Sequence, residues 1–323
     1  MPLPVAPIEL DAIHAARRRI AETAIRTPLV RLGRQPPDAD ILVKLENLQP
    51  IGSFKLRGAA NAMLLAGSEA LAGGVYTASA GNMAQGVAWC AREFGIRCRV
   101  VVPDTAPATK LEAIERLGGV VISVPFDAWW QALLDHRHPG VEGVFIHPFA
   151  DAGVMAGNAT IGLELLEDRA DIDAVLVPWG GGGLACGIAL ALRGLRPATR
   201  VYAVEVAGAA PLSASFAAGQ PATITPERSF VDGIGGKSVV PEMWRLARTL
   251  LAGVLTVTVA EVAASVRLLA MSNRVIAEGA GAAAVAAAMN GVPNARTIAC
   301  IVSGGNIDAG KLIEILGERT PDH

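Results

Sequence analysis

Short apolar runs alternate with longer amphipathic segments along most of the chain. The runs are apolar at nearly every position, which is typical of strands buried on both faces of a parallel sheet. Between them, residues 108–118 and 260–275 repeat apolar positions at a spacing near 3.6, which predicts covering helices. The alternation therefore indicates an α/β fold. The predicted strands cover residues 41–46, 74–79, 98–103, 120–125, 174–179, 201–206, 254–259 and 297–302.

The alternation of predicted strands and helices is interrupted once. Residues 129–143, WWQALLDHRHPGVEG, contain a Pro-Gly turn, and we interpret this stretch as a break in the alternation. The strand and helix pattern resumes at residues 145–149. We therefore predict a small domain of about four strands at 50–145. It would be inserted into a large domain formed by residues 1–49 and 146–323.

The amino-acid composition argues against a disordered protein, a nucleic-acid-binding protein and a membrane protein. The chain has 323 residues, 52% hydrophobic and 18% charged, so it can bury a sizeable core and does not resemble a disordered protein. A net charge of -2 gives no basic excess, and we expect no nucleic-acid partner. No apolar stretch approaches the roughly 20 residues of a membrane span, and the N-terminus does not resemble a secretory signal. We expect a cytoplasmic protein that does not associate with membranes.

The four cysteines and the histidines give no metal-binding spacing. Cys90, Cys98, Cys186 and Cys300 are far apart in sequence and form no CxxC pair, so we interpret them as reduced packing thiols. No HxxxH or HExxH pattern occurs, and we expect no metal.

Residues 178–184, PWGGGGL, follow a predicted strand and precede a helix. Four glycines without Cβ atoms let backbone N–H groups converge on an anion at a helix N-terminus, which favours phosphate binding. The loop lacks the lysine and hydroxyl residue of a P-loop. It also lacks the acidic residue of a dinucleotide site, which disfavours a nicotinamide oxidoreductase. The alternative is a tight turn that packs helix on strand.

Lys55 stands in residues 46–58, ENLQPIGSFKLRG, beside Phe54. A lysine with apolar and aromatic neighbours loses its proton more readily than an exposed one, which suits a nucleophile that forms an imine. Taken alone, a lysine in a helix first turn is usually a solvated charge.

Two further loops follow predicted strands. Ser79, Gly81 and Asn82 in SAGNMAQG open a helix, where they can bind a carboxylate and a phenolic oxygen, although an ordinary N-cap is the alternative. Ser303 in SGGNID ends a buried strand and could reach a ring nitrogen of an aromatic cofactor, or simply form a turn. The combination of these loops with one lysine favours a cofactor site over separate structural roles.

In this order and spacing the motifs resemble the fold type II pyridoxal 5'-phosphate enzymes, in particular the serine/threonine dehydratase group that includes threonine ammonia-lyases and serine racemases. The resemblance covers residues 10–315, about the whole chain. It implies an α/β fold like that of the tryptophan synthase β-subunit, with two open, twisted, mostly parallel sheets flanked by helices. It implies pyridoxal 5'-phosphate as cofactor. The implied catalytic residues are Lys55 and Ser79; the implied cofactor-binding residues are Phe54, Lys55, Asn82, Gly180, Gly181, Gly182, Gly183, Leu184 and Ser303; the implied substrate-binding residues are Ser79, Ala80, Gly81, Asn82 and Met83.

The resemblance implies β-elimination of threonine or serine to the 2-oxo acid and ammonia. Ser303 in place of a carboxylate would leave the ring nitrogen unprotonated, which favours prompt loss of the β-substituent. The alternative within the family is a dehydratase for another β-hydroxy amino acid, such as phenylserine or an osmolyte-derived compound. The alternative outside this enzyme family is a protein that binds phosphate and catalyses no reaction. We also predict a homodimer.

Three positions depart from the group's pattern. Met83 replaces the usual histidine, which would admit a more apolar substrate. Ala80 replaces the second serine of the racemases, so efficient racemisation is not expected. Pro211 replaces an aspartate of the metal-binding relatives, which would leave Glu205 as at most a lone ligand.

Overall fold

The computed structural model describes residues 8–322, which form an α/β chain with two sheets. Residues 1–7, part of the segment examined above for a secretory signal, and His323 lie outside the described residues. The strands are β1 (Leu29–Arg31), β2 (Asp40–Lys44), β3 (Val75–Ala78), β4 (Cys98–Pro103), β5 (Val120–Val124), β6 (Val144–Phe145), β7 (Ala174–Pro178), β8 (Arg200–Val206), β9 (Gly253–Val257) and β10 (Thr297–Ile301). The helices are α1 (Leu10–Arg19), α2 (Lys55–Leu71), α3 (Asn82–Glu93), α4 (Ala108–Arg116), α5 (Phe126–Asp135), α6 (Ala152–Asp168), α7 (Gly183–Leu195), α8 (Pro211–Ala218), α9 (Pro241–Leu250), α10 (Val259–Leu268), α11 (Gly279–Met289) and α12 (Ala309–Leu316).

The chain divides into two compact units, which we name by their sheets. The four-stranded unit contains the described residues up to Ile25 and Lys55–Thr160, and the six-stranded unit contains Arg26–Phe54 and the described residues from Ile161. The first sheet is parallel throughout, in the order β5-β4-β3-β6. The second has the order β1-β2-β10-β7-β8-β9, and among these pairs β1–β2 is antiparallel.

The core of the six-stranded unit forms around its central strands. Every residue of β7 and of β10 is buried, which accounts for their continuous apolar sequences. The alanine-rich helix α11 packs against both strands and is buried over nearly its whole length. Small side chains allow this helix to lie close to the sheet, so the Ala/Gly-rich composition is a packing feature.

The sequence predicted most of these elements. Each predicted strand is present, and β4 spans the residues expected for it. Both predicted helices are present as α4 and α10, the second continuing into a π-helical turn at Leu269–Asn273. The short strands β1 and β6 were not predicted, because runs of three and two residues carry too little pattern.

The interpretation of 129–143 as a break was wrong in its first half. Residues up to Asp135 belong to α5, whose Ala132 and Leu133 pack with Tyr76 and Val101 of the neighbouring strands. The irregular part begins at His136, which caps the helix with a left-handed φ of 54°. The apolar spacing of FDAWWQALL therefore outweighs the turn signal that follows it.

The ends of the two units differ from the predicted domain boundaries. We predicted a small domain at 50–145 within a large domain of 1–49 and 146–323. In the structure α1 and residues 146–160 group with the four-stranded sheet, and the division falls between Phe54 and Lys55 and within α6. The assignment of large and small domains stays a prediction.

Within residues 8–322 no helix combines the length and apolar character needed to cross a membrane. The same residues contain no group of three His, Cys, Asp or Glu side chains arranged to hold a metal ion. The cysteines are buried free thiols, as the interpretation of packing residues requires.

Candidate active site

Parallel strands place the candidate residues at the carboxyl edges of the two sheets. In the six-stranded unit β10 lies between β2 and β7, so the loops after these strands meet at one edge. They are the segment that leads to Phe54, the glycine loop and the loop of Ser303. In the four-stranded unit β3 pairs with β6, so the Ser79 loop and residues 146–150 share an edge. Each sheet thus gathers part of the predicted site.

Lys55 is the first residue of α2. Its Nζ donates a hydrogen bond to the carbonyl oxygen of Pro148 at 2.6 Å. Burial lowers the pKa of the amine to about 8. About one Lys55 amine in ten is therefore neutral at pH 7, in the direction that we expected from its apolar neighbours. The Pro148 acceptor was not predicted, because a backbone carbonyl leaves no signal in the sequence.

The backbone that leads to Lys55 is paired with the loop of Ser303. The Phe54 N–H donates to the Ser303 carbonyl at 3.0 Å, and the Gly305 N–H donates to the Gly52 carbonyl at 2.9 Å. Gly52 has a φ of +71°, and a Cβ there would lie 2.5 Å from Oδ1 of Asn306. Asn306 in turn donates to the Ile51 carbonyl at 2.9 Å. The SGGN motif thus fixes the chain just before the lysine, a role of Asn306 that our sequence reasoning missed.

The four glycines form the turn from β7 into α7. Gly182 is the N-cap of this thirteen-residue helix, with a φ of +91°. A Cβ on Gly182 would collide with the Trp179 indole ring, lying 2.8 Å from its Cζ2. A Cβ on Gly180 would lie 3.0 Å from the Gly233 carbonyl oxygen. A side chain is therefore excluded at Gly182 and crowded at Gly180, and the loop stands at a helix N-terminus, where an anion is stabilised. Trp179 supports this turn and was not singled out from the sequence.

Residues 79–83 connect β3 to α3. Gly81, and not Ser79, is the N-cap of the helix, and the Ser79 hydroxyl accepts a hydrogen bond from the Gly81 N–H at 3.2 Å. Ser79, Ala80, Gly81 and Asn82 are half-buried, whereas Met83 is 1% exposed. The structure places these residues on one short segment. Contact between them and a substrate stays a prediction, and the buried Met83 side chain offers little surface for it.

Glu205 lies at the end of β8 and is fully buried. Its two carboxylate oxygens accept hydrogen bonds from the N–H groups of Leu212 and Ser213, both at 2.8 Å, at the start of α8. Burial raises the pKa of this carboxyl to about 7, partly offset by the two N–H donors. The N-terminus of α8 therefore supplies the partners of Glu205.

The chain is similar in sequence and in fold to known proteins. A family model described as "Pyridoxal-phosphate dependent enzyme" matches residues 20–304. The chain is 36% identical over 317 residues to an L-threonine ammonia-lyase of Thermotoga maritima, covering 96% of this chain and 79% of that protein. It is 35% identical over 320 residues to the catabolic L-threonine dehydratase of Escherichia coli K12, covering 96% and 97%. Among solved structures, maize serine racemase superposes with a TM-score of 0.88 at 30% identity, covering 97% of this chain and 98% of that one.

Proposed function

Because this chain belongs to the pyridoxal-phosphate-dependent enzyme family, we propose that it converts a small β-hydroxy amino acid, threonine or serine, to the 2-oxo acid and ammonia. The observation that supports this proposal most directly concerns Lys55 at the start of α2. Its amine donates a hydrogen bond to the Pro148 carbonyl, and burial lowers its pKa so that part of it is neutral. The substrate class is supported by the threonine ammonia-lyase and threonine dehydratase named among the relatives.

The described residues fit the cofactor. Lys55 offers the amine that an aldehyde requires, and its lowered pKa makes about one amine in ten neutral at pH 7. The turn leaves no room for a side chain at Gly182 and little at Gly180, and it opens the N-terminus of α7, where backbone N–H groups would hold the phosphate. When bound, pyridoxal phosphate supplies an electron sink that makes the Cα proton of an amino acid acidic.

We assign the proton transfer to Lys55. With pyridoxal phosphate bound, the Lys55 amine would take the Cα proton of the substrate on its Nζ. The Pro148 carbonyl accepts an N–H of either the neutral amine or the ammonium, so it can hold Nζ before and after the transfer. Ser79 and Asn82 would orient the substrate carboxylate at the start of α3, where backbone N–H groups favour an anion.

Ser303 would be the partner of the cofactor ring nitrogen. A hydroxyl carries no charge that would keep this nitrogen protonated, which would weaken delocalisation of negative charge from Cα and favour departure of the β-hydroxyl. Phe54, whose N–H bonds to the Ser303 carbonyl, would pack by the ring.

Racemisation is the second activity that the comparisons make worth testing, since maize serine racemase superposes closely. Ala80 offers no hydroxyl to return a proton from the opposite face. We therefore expect elimination to dominate over racemisation.

The test is a substrate panel with the purified protein and pyridoxal phosphate. We expect release of 2-oxobutanoate from threonine and of pyruvate from serine, with no release by Lys55→Ala. Chiral analysis of the remaining amino acid measures racemisation in the same samples. Faster release from phenylserine than from threonine would move the assignment to the alternative substrate class, and racemisation without release would contradict the lyase.

We also propose a cytoplasmic homodimer, on the general frequency of two-fold symmetric enzymes. Sedimentation at several protein concentrations tests the oligomeric state, and a monomer at all of them would contradict it.

A further inference from the structure

The turn of residues 147–150 carries the carbonyl that Lys55 binds. It follows β6, whose two residues pair with β3, and contains no helix or strand of its own. An irregular segment of this kind has no ladder of hydrogen bonds to hold it, so its backbone depends on side chains for support. The position of the Pro148 carbonyl therefore depends on what fixes this turn.

His147 fixes it. Its Nδ1 accepts hydrogen bonds from the N–H groups of Ala150 at 2.8 Å and Phe149 at 3.2 Å. Its Nε2 lies 3.2 Å from the Leu133 carbonyl oxygen on α5. A nitrogen that receives two N–H donors carries no proton, so Nε2 carries it and donates to Leu133. The hydrogen bonds thus select the neutral tautomer with the proton on Nε2.

The imidazole is also held by its surroundings. His147 is 1% exposed, with the edge of its ring against Phe149 at a centroid distance of 4.5 Å and the His136 ring at 4.4 Å. Burial lowers the pKa of His147 well below its ordinary value. The ring therefore stays neutral, and both of its nitrogens keep their partners.

We propose that His147 is a positioning residue for Lys55, acting through the 147–150 turn that presents the Pro148 carbonyl to Nζ. One N–H of the neutral amine is then held on the carbonyl, which restricts the orientations from which the nitrogen can attack an aldehyde. This inference rests on the proposed function, which assigns Lys55 as the amine that captures the cofactor.

Two polar variants of His147 distinguish the role of Nδ1 from the role of Nε2. In His147→Asn the side-chain oxygen occupies the place of Nδ1 and can accept from Phe149 and Ala150. In His147→Gln the longer side chain reaches the place of Nε2 and can donate to Leu133, but it leaves the turn without its acceptor. Thr199→Val, which removes a buried hydrogen bond of 2.8 Å to the Ile172 carbonyl in the six-stranded unit, controls for a general loss of stability.

The measurement is the rate at which cofactor-free protein captures pyridoxal phosphate, followed by visible absorbance at pH 9, where Lys55 is mostly neutral. In this step Nζ attacks the aldehyde carbon, a carbon–nitrogen double bond forms and water leaves. We expect His147→Asn and Thr199→Val to stay within about two-fold of the wild type, and His147→Gln to be slowed about ten-fold. In steady state the Gln variant should lose kcat with a smaller change in KM.

The outcomes distinguish this inference from the proposed function. An unslowed His147→Gln, or Asn and Gln variants slowed to the same extent, would overturn the positioning role while leaving the lyase intact. A wild-type protein that captures no cofactor would overturn both.

Discussion

The contact between Gly182 and Trp179 makes Gly182→Ala the sharpest test of the phosphate loop. Gly182 combines two constraints, a φ of +91° and an indole ring in the space where a Cβ would stand. An alanine there must either change its backbone conformation or displace the ring. Gly219, in the same unit, caps α8 with a φ of +68° and has no atom within 4 Å of its Cβ position. Gly219→Ala is therefore a matched control that meets the first constraint alone.

The expected magnitudes follow from these two constraints. A left-handed conformation costs a residue with a Cβ roughly 1–2 kcal/mol. Forcing a methyl group into occupied space costs a further 1–3 kcal/mol, approximately. We expect Gly219→Ala to lower the free energy of unfolding by about 1–2 kcal/mol and Gly182→Ala by about 2–5 kcal/mol.

Urea unfolding measures both variants, and Trp179→Leu supplies a double-mutant cycle. With the indole removed, the added effect of Gly182→Ala should fall to that of Gly219→Ala, a coupling of about 1–3 kcal/mol. The affinity for pyridoxal phosphate should fall in Gly182→Ala and remain unchanged in Gly219→Ala. Equal losses of stability in the two alanine variants, or no coupling to Trp179, would refute the steric account of this loop.

Three further expectations concern ionisable groups. Lys44 is 0% exposed with its Nζ 2.6 Å from the Glu164 carboxylate, so Lys44→Met should lower the free energy of unfolding by about 3–5 kcal/mol; a loss under about 1 kcal/mol would contradict this. Because burial lowers the pKa of Lys55 to about 8, cofactor capture should rise with pH to a midpoint near 8, and a midpoint near 10.5 would contradict the burial. The pKa of Glu205 is raised from 4.5 to about 7, so the native state holds this proton longer than the unfolded chain. Stability should therefore fall as pH rises from 4.5 to 7, and an unchanged slope in Glu205→Gln would contradict the assignment.

The sequence was most informative where a local pattern and a local structure coincide. The strand of residues 98–103 could be predicted because an apolar run acts over a few neighbouring positions. The glycine run could be interpreted as an anion loop because four residues without Cβ have few other uses between a strand and a helix. The prediction for residues 129–135 was wrong because a Pro-Gly pair further along the chain does not prevent the ten-residue helix α5 from forming before it.

Some features of the site could not be predicted from the sequence because they depend on tertiary structure. The Pro148 carbonyl is backbone, and it bears on Lys55 only because the turn after β6 stands beside the start of α2. Trp179 gains its role from the left-handed Gly182 that the turn brings against its ring. The tautomer of His147 is set by the Leu133 carbonyl and the Ala150 N–H, which no spacing rule connects to it.

The covalent attachment of the cofactor can be located directly. Borohydride reduction of the protein loaded with pyridoxal phosphate, followed by peptide mass spectrometry, identifies the lysine that carries the pyridoxyl group. Our account predicts modification of Lys55, and none at Lys44, Lys110, Lys237 or Lys311. A pyridoxyl group on one of those four lysines, with Lys55 unmodified, would contradict it.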